Sequence, residues 1–353
     1  MKCENNKLSR HNRTLVLHFR SFSWVFTPRD MFISTILFLL IMSLSFWAIT
    51  SGKFPINFTT LISIFTGEEH GTIQQKIVMD IRLPRLLTAI GVGAALGISG
   101  AIFQSISRNV LGSPDIIGFT TGAATGALLQ IIIFNGSISA IAFSTLAGGL
   151  LTALLVYFLS FKNGVMSGYT LILVGIGIGA ILHAFNSFLL VKGNIDNATI
   201  ANLWLAGSLN ARTWFHVYPI YIGLLLLIPF IVLYAKSLTL MEMGDDMAQQ
   251  LGVNVPRVRW MMIFSAVILA SLATACAGPI AFVALAAPQL VIRLSHSGKL
   301  PIIGSALMGA LLLTFADTLA QQLPFNVMMP VGLMTGIIGG GYLLWLLART
   351  QRI

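Results

Sequence analysis

Charge is scarce in this chain of 353 residues: Asp, Glu, Lys and Arg make up only 9% of it, against about 25% in an ordinary soluble domain. Eleven residues are acidic and 21 basic, and the basic ones are scattered over short segments instead of forming the stripe that nucleic acid needs. The two cysteines, Cys3 in a basic tail and Cys276 in an apolar run, offer no disulfide framework. No His, Cys, Asp and Glu cluster has metal-ligand spacing, and no acid, base and nucleophile converge near one interface. The glycine runs follow no strand and end in no Lys-Ser/Thr, so they are not phosphate loops. These absences argue against a nucleic-acid binder, a disulfide scaffold and an integral membrane enzyme.

What fills the chain is apolar: 56% hydrophobic residues, with 33 glycines. Its mean hydropathy is +0.88. Hydrophobic runs broken by charges or turn residues predict ten membrane spans, near 31–50, 86–107, 116–134, 138–161, 169–191, 215–235, 260–277, 279–294, 302–320 and 330–348. Residues 116–161 carry no charge but are too long for one crossing at about 1.5 Å per residue, and Phe134-Asn135-Gly136-Ser137 divides them. This describes an all-α polytopic membrane protein: a basic tail over 1–30, a membrane domain over 31–348, and a short tail over 349–353. The run Met31–Thr50 is longer than a signal-peptide core and no convincing cleavage site follows it, so it reads as the first span.

With the N-terminus inside, 15 of the 21 basic residues fall on the inner face, and only Lys53, Lys76, Arg82, Arg85, Lys192 and Arg212 on the outer. The positive-inside rule then puts both termini in the cytoplasm. Gly91, Gly93, Gly97 and Gly100 in the second span, and Gly175, Gly177 and Gly179 in the fifth, predict close helix packing, with pore lining as the alternative for some.

Three polar constellations stand out. Arg82-Leu83-Pro84-Arg85 lies at the outer end of the second span, with Pro84 suited to a first helical turn. Its two arginines, three residues apart, face one way and either snorkel to lipid headgroups or receive carboxylates of an extracytoplasmic partner. Arg108, Asn109 and Asp115 lie in an inner loop rich in turn residues. The third constellation, residues 240–259, is the one long polar patch inside the apolar chain. Glu242, Asp245 and Asp246 are expected in the first turn of a short helix, with Met241, Met247, Ala248 and Leu251 as its apolar stripe. Gly252 ends it and Pro256 starts the next element. A helix of about two turns cannot span and is marginal alone, so it must lie on its own bundle or on a soluble partner. Asp317 reads as a structural or helix-end carboxylate, and His183 as a packing histidine.

From about Arg82 to its C-terminus the chain resembles the iron-siderophore and vitamin B12 ABC importer permeases. The resemblance rests on Arg82-Leu83-Pro84-Arg85, GVGAALGISGAIFQ at 91–104, Arg108-Asn109 with Leu111, LGV at 251–253, AGPIAFVAL at 277–285, Ala316-Asp317 and Pro330-Val331-Gly332. EMGDD at 242–246, GSPD at 112–115, AGSLN at 206–210 and Gln321-Gln322 look most like the ferric-enterobactin branch, on the side of its second permease.

The resemblance implies ten helices, a type II importer permease, and a dimer with a related second permease around the path. It further implies two cytoplasmic ATPase subunits that carry ATP and Mg, a periplasmic binding protein, and no cofactor held by this chain. By motif position Arg82 and Arg85 would receive glutamates of the binding protein. Glu242, Gly244, Asp245, Asp246, Ala248, Leu251 and Gly252 would form the coupling helix on the ATPase, and Arg108, Asn109 and Asp115 would belong to an inner-loop motif. Four positions depart from the family pattern: Gln289 stands for His, Gln321 for Arg, Val110 for Pro, and Gly339-Gly340-Gly341 for Gly-Ala-Pro. The expectation is a permease for a ferric catecholate in the bacterial inner membrane. Vitamin B12 or haem is the alternative within the family. An ion-coupled carrier, which needs more intramembrane ionisable groups than Asp317 and His183, is the alternative outside it.

Overall fold

The computed structural model describes residues 9–11, 14–19, 22–26, 28–52, 54–66, 72–161, 168–295, 301–322 and 329–350. Lys2, Lys7, Arg13, Arg20, Lys53, Lys162, Lys299, Arg352 and Cys3, used above, lie outside them. A three-stranded antiparallel meander, β1 Ser9–His11, β2 Thr14–Phe19 and β3 Phe22–Phe26, occupies what reads in sequence as a plain basic tail. Every regular element described after it is a helix: α1 Pro28–Thr50, α2 Phe58–Thr66, α3 Ile73–Ser107, α4 Phe119–Phe134, α5 Ile138–Ser160, α6 Gly168–Lys192 and α7 Ile195–Leu205. Then come α8 Trp214–Glu242, α9 Asp245–Gln250, α10 Val255–Ala277, α11 Val283–Ser295, α12 Ile302–Gln321 and α13 Val331–Thr350. Seven of these (α1, α3, α5, α6, α8, α10 and α12) are long and apolar enough to cross a membrane; α4, α11 and the apolar part of α13 are shorter apolar helices. Together they account for the ten predicted runs.

The turn predicted between the third and fourth spans has its chemistry in place. Asn135 is left-handed at φ 48°, and the Ser137 hydroxyl accepts the Ala140 N–H at 3.4 Å to start α5.

The bundle is organised around α3, 83% of whose most apolar window is buried, against 17% in α6. That contrast makes α3 the central pillar and leaves α6 facing outward for lipid or a partner. Small residues permit this centrality, because apolar burial alone does not drive helices together in lipid. A Cβ on Gly97 would lie 2.1 Å from the Ser305 carbonyl oxygen of α12, and one on Gly100 would lie 1.7 Å from that of Ala284 on α11. The close packing predicted for the second span is therefore obligatory at these two positions. Beside this core, α1 packs against α11 and α12 through Leu37, Ala287, Val291 and Met308.

α3 begins earlier than the sequence indicates. It runs about three turns before Pro84, so the proline sits inside a continuous helix and not in its first turn. A π segment, Ile77–Arg82, precedes the proline, with the Leu83 N–H donating back to Val78 O. Such a bulge absorbs the register change that a residue without an N–H imposes.

Candidate functional site

Two polar sites lie at opposite ends of α3. At the C-terminal end of α3, α8 continues to Glu242 because no helix breaker intervenes and Leu238 and Met241 are buried in its last turns. Glu242 is thus the last residue of α8 and not part of the first turn of the short helix, as the sequence had indicated. The Ser105 hydroxyl donates to its carboxylate at 2.5 Å. The chain turns at Gly244, whose φ of 124° disfavours any side chain, and enters the six-residue α9. Gly252, at φ 84°, closes it. Asn254 then caps α10 by accepting the Arg257 N–H at 3.2 Å, with Pro256 in the first turn.

Asp245 is the hub of this end. The buried Arg259, on the first turns of α10, donates from Nη2 to both carboxylate oxygens at 2.8 Å. Arg108, the left-handed residue closing α3, donates to the same carboxylate and, through Nε, to Met241 O at 3.0 Å. One carboxylate thereby ties α9 to the ends of α3, α8 and α10. Arg108 and Asp245, read in sequence as members of separate constellations, are brought together. Arg259 was missed as a site residue. The available signal was an arginine facing a run whose neighbours Val258 and Met262 are buried.

The apolar stripe expected on α9 is divided. Met241 and Ala248 face the bundle, fully or nearly fully buried, whereas Met247 and Leu251 stand 49% and 59% exposed and Met243 68% exposed. Asp246 is exposed. Residues 247 and 251 are one helical turn apart and share a face, and that face points away from the bundle.

Asn109 and Asp115 stay within their loop. The Asn109 side chain accepts the Leu111 N–H at 3.0 Å, and Asp115 O accepts the Gly118 N–H at 3.2 Å just before α4. Asp115 is half-buried by its own surface, yet its position in the fold pushes its carboxyl up to about 6 through desolvation, opposed by a hydrogen bond from Thr120.

Toward the N-terminal end of α3, Arg82 and Arg85 are not an open cationic pair sharing one direction. Arg82 donates to two main-chain carbonyls, Ile49 O and, at 2.6 Å, Phe54 O, pinning the α1–α2 connection. Arg85 forms a forked pair with Asp317 of α12, at 2.7 Å from Nη2 to Oδ1 and 3.0 Å from Nε to Oδ2. Gln321, one of the departures from the family pattern, donates to Asp317 Oδ2 at 2.8 Å. Asp317 is thereby held by an ion pair from α3 and a hydrogen bond from its own helix. A second departure, Gln289, donates to Gln104 Oε1 at 2.7 Å, and Gln104 donates to Leu285 O at 3.0 Å, so the pair bridges α3 and α11. His183 lies on the exposed side of α6 and not in packing, because the whole helix is peripheral.

Residues 37–349 match the FecCD transport family. The chain is 44% identical over 306 residues to the ferric enterobactin transport system permease protein FepG of Escherichia coli K12, covering 87% of this chain and 92% of that one. It is 36% identical to the Fe(3+)-citrate import system permease protein YfmE of Bacillus subtilis 168, covering 90% and 95%. Among solved structures it is similar to an inward-facing conformation of a metal-chelate type ABC transporter, with a TM-score of 0.79, 27% identity, and coverage of 90% of this chain and 99% of that one. A family match over nearly the whole membrane domain and full-length relatives above 30% identity establish that the chain belongs to the FecCD transport family, as a multi-pass permease.

Proposed function

We propose that the chain is the transmembrane permease of an ABC importer that carries a ferric catecholate siderophore from periplasm to cytoplasm. The observation that carries this reading is the 44% identity to a ferric enterobactin permease across most of both chains. ATP is hydrolysed by two separate cytoplasmic subunits, and a related second permease completes the path. Both termini are cytoplasmic in this reading, which puts α9 on the inner face and the Arg82/Arg85 end outside.

The exposed Met243, Met247 and Leu251 support a role for α9 as the coupling helix, since apolar side chains projecting from a helix too short to stand alone fit a groove in a soluble partner. Glu242, Gly244, Asp246, Ala248 and Gly252 shape and orient that element. On the outer face Arg82, whose partners are neutral carbonyls, keeps its charge for a carboxylate of the binding protein, while Arg85 has to leave Asp317 to do the same. ATP binding draws the ATPases together, α9 moves with them, and the bundle reorients around the substrate.

The test is uptake of a panel of labelled ferric siderophores and vitamin B12 in cells lacking their own permease and supplied with this chain and its partner subunits. Ferric catecholate uptake that stops when the ATPase is inactivated supports the reading. Uptake that persists without the ATPase, or B12 uptake alone, contradicts it.

A further inference from the structure

The coupling reading assigns 242–252 as one docking element, but its acidic residues do not share one environment. Asp246 is exposed, whereas the neighbouring Asp245 has both oxygens engaged by arginines of the bundle and a side chain only 27% exposed. We propose that Asp245 is a positioning residue: the Arg108–Asp245–Arg259 bridge, not a contact to the partner, sets α9 on the inner ends of α3 and α10 and transmits its movement to them. This inference rests on the reading of α9 as the ATPase-docking helix.

The geometry supports transmission over mere attachment. α9 has six residues, with positive-φ glycines Gly244 and Gly252 on either side, so its connections are turns and not continuous helix. Such a segment would slide or tilt relative to the bundle unless side chains fixed it. The buried Ala248 gives it one apolar foothold, which resists separation but not rotation. The carboxylate supplies direction. Its two guanidinium partners come from different helices, and Arg259 Nη2 reaches both of its oxygens, so the carboxylate is held from two directions by charge-assisted hydrogen bonds. Arg108 closes α3, the central pillar, and also holds the last turn of α8 through Met241 O. A displacement of α9 is thus delivered to three spans through one group. Replacing Asp245 by a neutral residue leaves two guanidinium groups adjacent to each other, which drives α9 from its seat without changing the outward face.

The experiment uses the assembled transporter with its ATPase and second permease in proteoliposomes, supplied with binding protein loaded with radio-iron-labelled ferric enterobactin. Three quantities are read: ATPase retained through purification, ATP hydrolysed, and iron delivered per ATP. With Asp245→Asn the ATPase stays attached while iron delivered per ATP falls about tenfold or more, a coupling loss in the range of typical linkage energies, and Asp245→Glu recovers most of the ratio. An unchanged ratio, or shedding of the ATPase as a direct contact would cause, overturns the proposal. If Asp245→Asn does not reach the membrane, Arg108→Gln, which keeps the Arg259–Asp245 pair, is read by the same ratio and the same two outcomes. A separate arm tests the docking reading itself. Met247→Asp with Leu251→Asp sheds the ATPase if α9 docks there, and retention in that variant overturns the docking reading regardless of Asp245.

Discussion

Arg85 of α3 and Asp317 of α12 form a forked ion pair 2.7 Å apart toward the N-terminal end of α3, between residues 232 positions apart in sequence. Asp317 is nearly covered and Arg85 only partly exposed, so stripping one partner leaves a poorly hydrated charge. Asp317→Leu should lower the stability of the detergent-solubilised protein by about 3 kcal/mol, the low end for a buried pair broken on one side. Asp317→Leu combined with Arg85→Leu should cost less than the two single changes added, since neither charge is then left alone. Thermal midpoints of the four proteins provide the cycle, and strict additivity would show that the pair contributes nothing.

The same pairing makes the two outer arginines unequal for docking. Arg82→Gln should weaken capture of the loaded binding protein more than Arg85→Gln, because Arg85 has first to give up Asp317. The double reversal Arg82→Glu with Arg85→Glu should weaken it further, and the loss should shrink as salt rises. Surface-immobilised transporter and titrated binding protein measure this directly, and equal affinity for all variants at low salt contradicts an outer docking role.

Close approach along α3 gives a graded prediction. A methyl at Gly100 or Gly97 meets main-chain oxygen, whereas one at Gly177 of α6 meets open space. Gly100→Ala should cost at least about 1–3 kcal/mol or prevent assembly of the bundle, because a backbone atom cannot move aside. Gly177→Ala should stay within about 0.5 kcal/mol of the parent. Thermal unfolding in detergent separates the two, and comparable stabilities would mean that α3 and α11 are not in this contact.

Asp115 yields a pH dependence. Its folded-state value of about 6 lies above the ordinary 3.8, so the folded protein holds the proton more tightly than the unfolded chain does. The associated stability is fully present below about pH 4 and is lost as pH rises through about 6. Asp115→Asn has no such step. The midpoint of the variant relative to the parent should therefore rise between pH 4 and pH 7, and a difference that stays flat across that window refutes the burial of this carboxyl.

The ten apolar runs were legible because each approaches the thickness of a bilayer, and the polar segment around α9 was legible because polar residues are rare elsewhere. Other features lay beyond local pattern. Continuation of α8 to Glu242 depends on burial of Leu238 and Met241, and extension of α3 through Pro84 depends on a π segment that no periodicity announces. The partners of Arg82, Arg85, Arg108 and Arg259 come from distant segments, so an arginine that reads as a free cation in sequence proves to be engaged. The apolar residues of α9 were read as one stripe because spacing alone does not say which side the bundle covers. The outward position of Met247 and Leu251 required the neighbouring helices.

The most direct measurement of the central claim is ATP-dependent accumulation of labelled ferric enterobactin in proteoliposomes holding this chain, its second permease and the ATPase, with the loaded binding protein supplied on the outer face. The account predicts accumulation that requires ATP and the binding protein, and that is lost when Met247 and Leu251 are both changed to Asp. Accumulation that proceeds without ATP, or survives that double change, contradicts it.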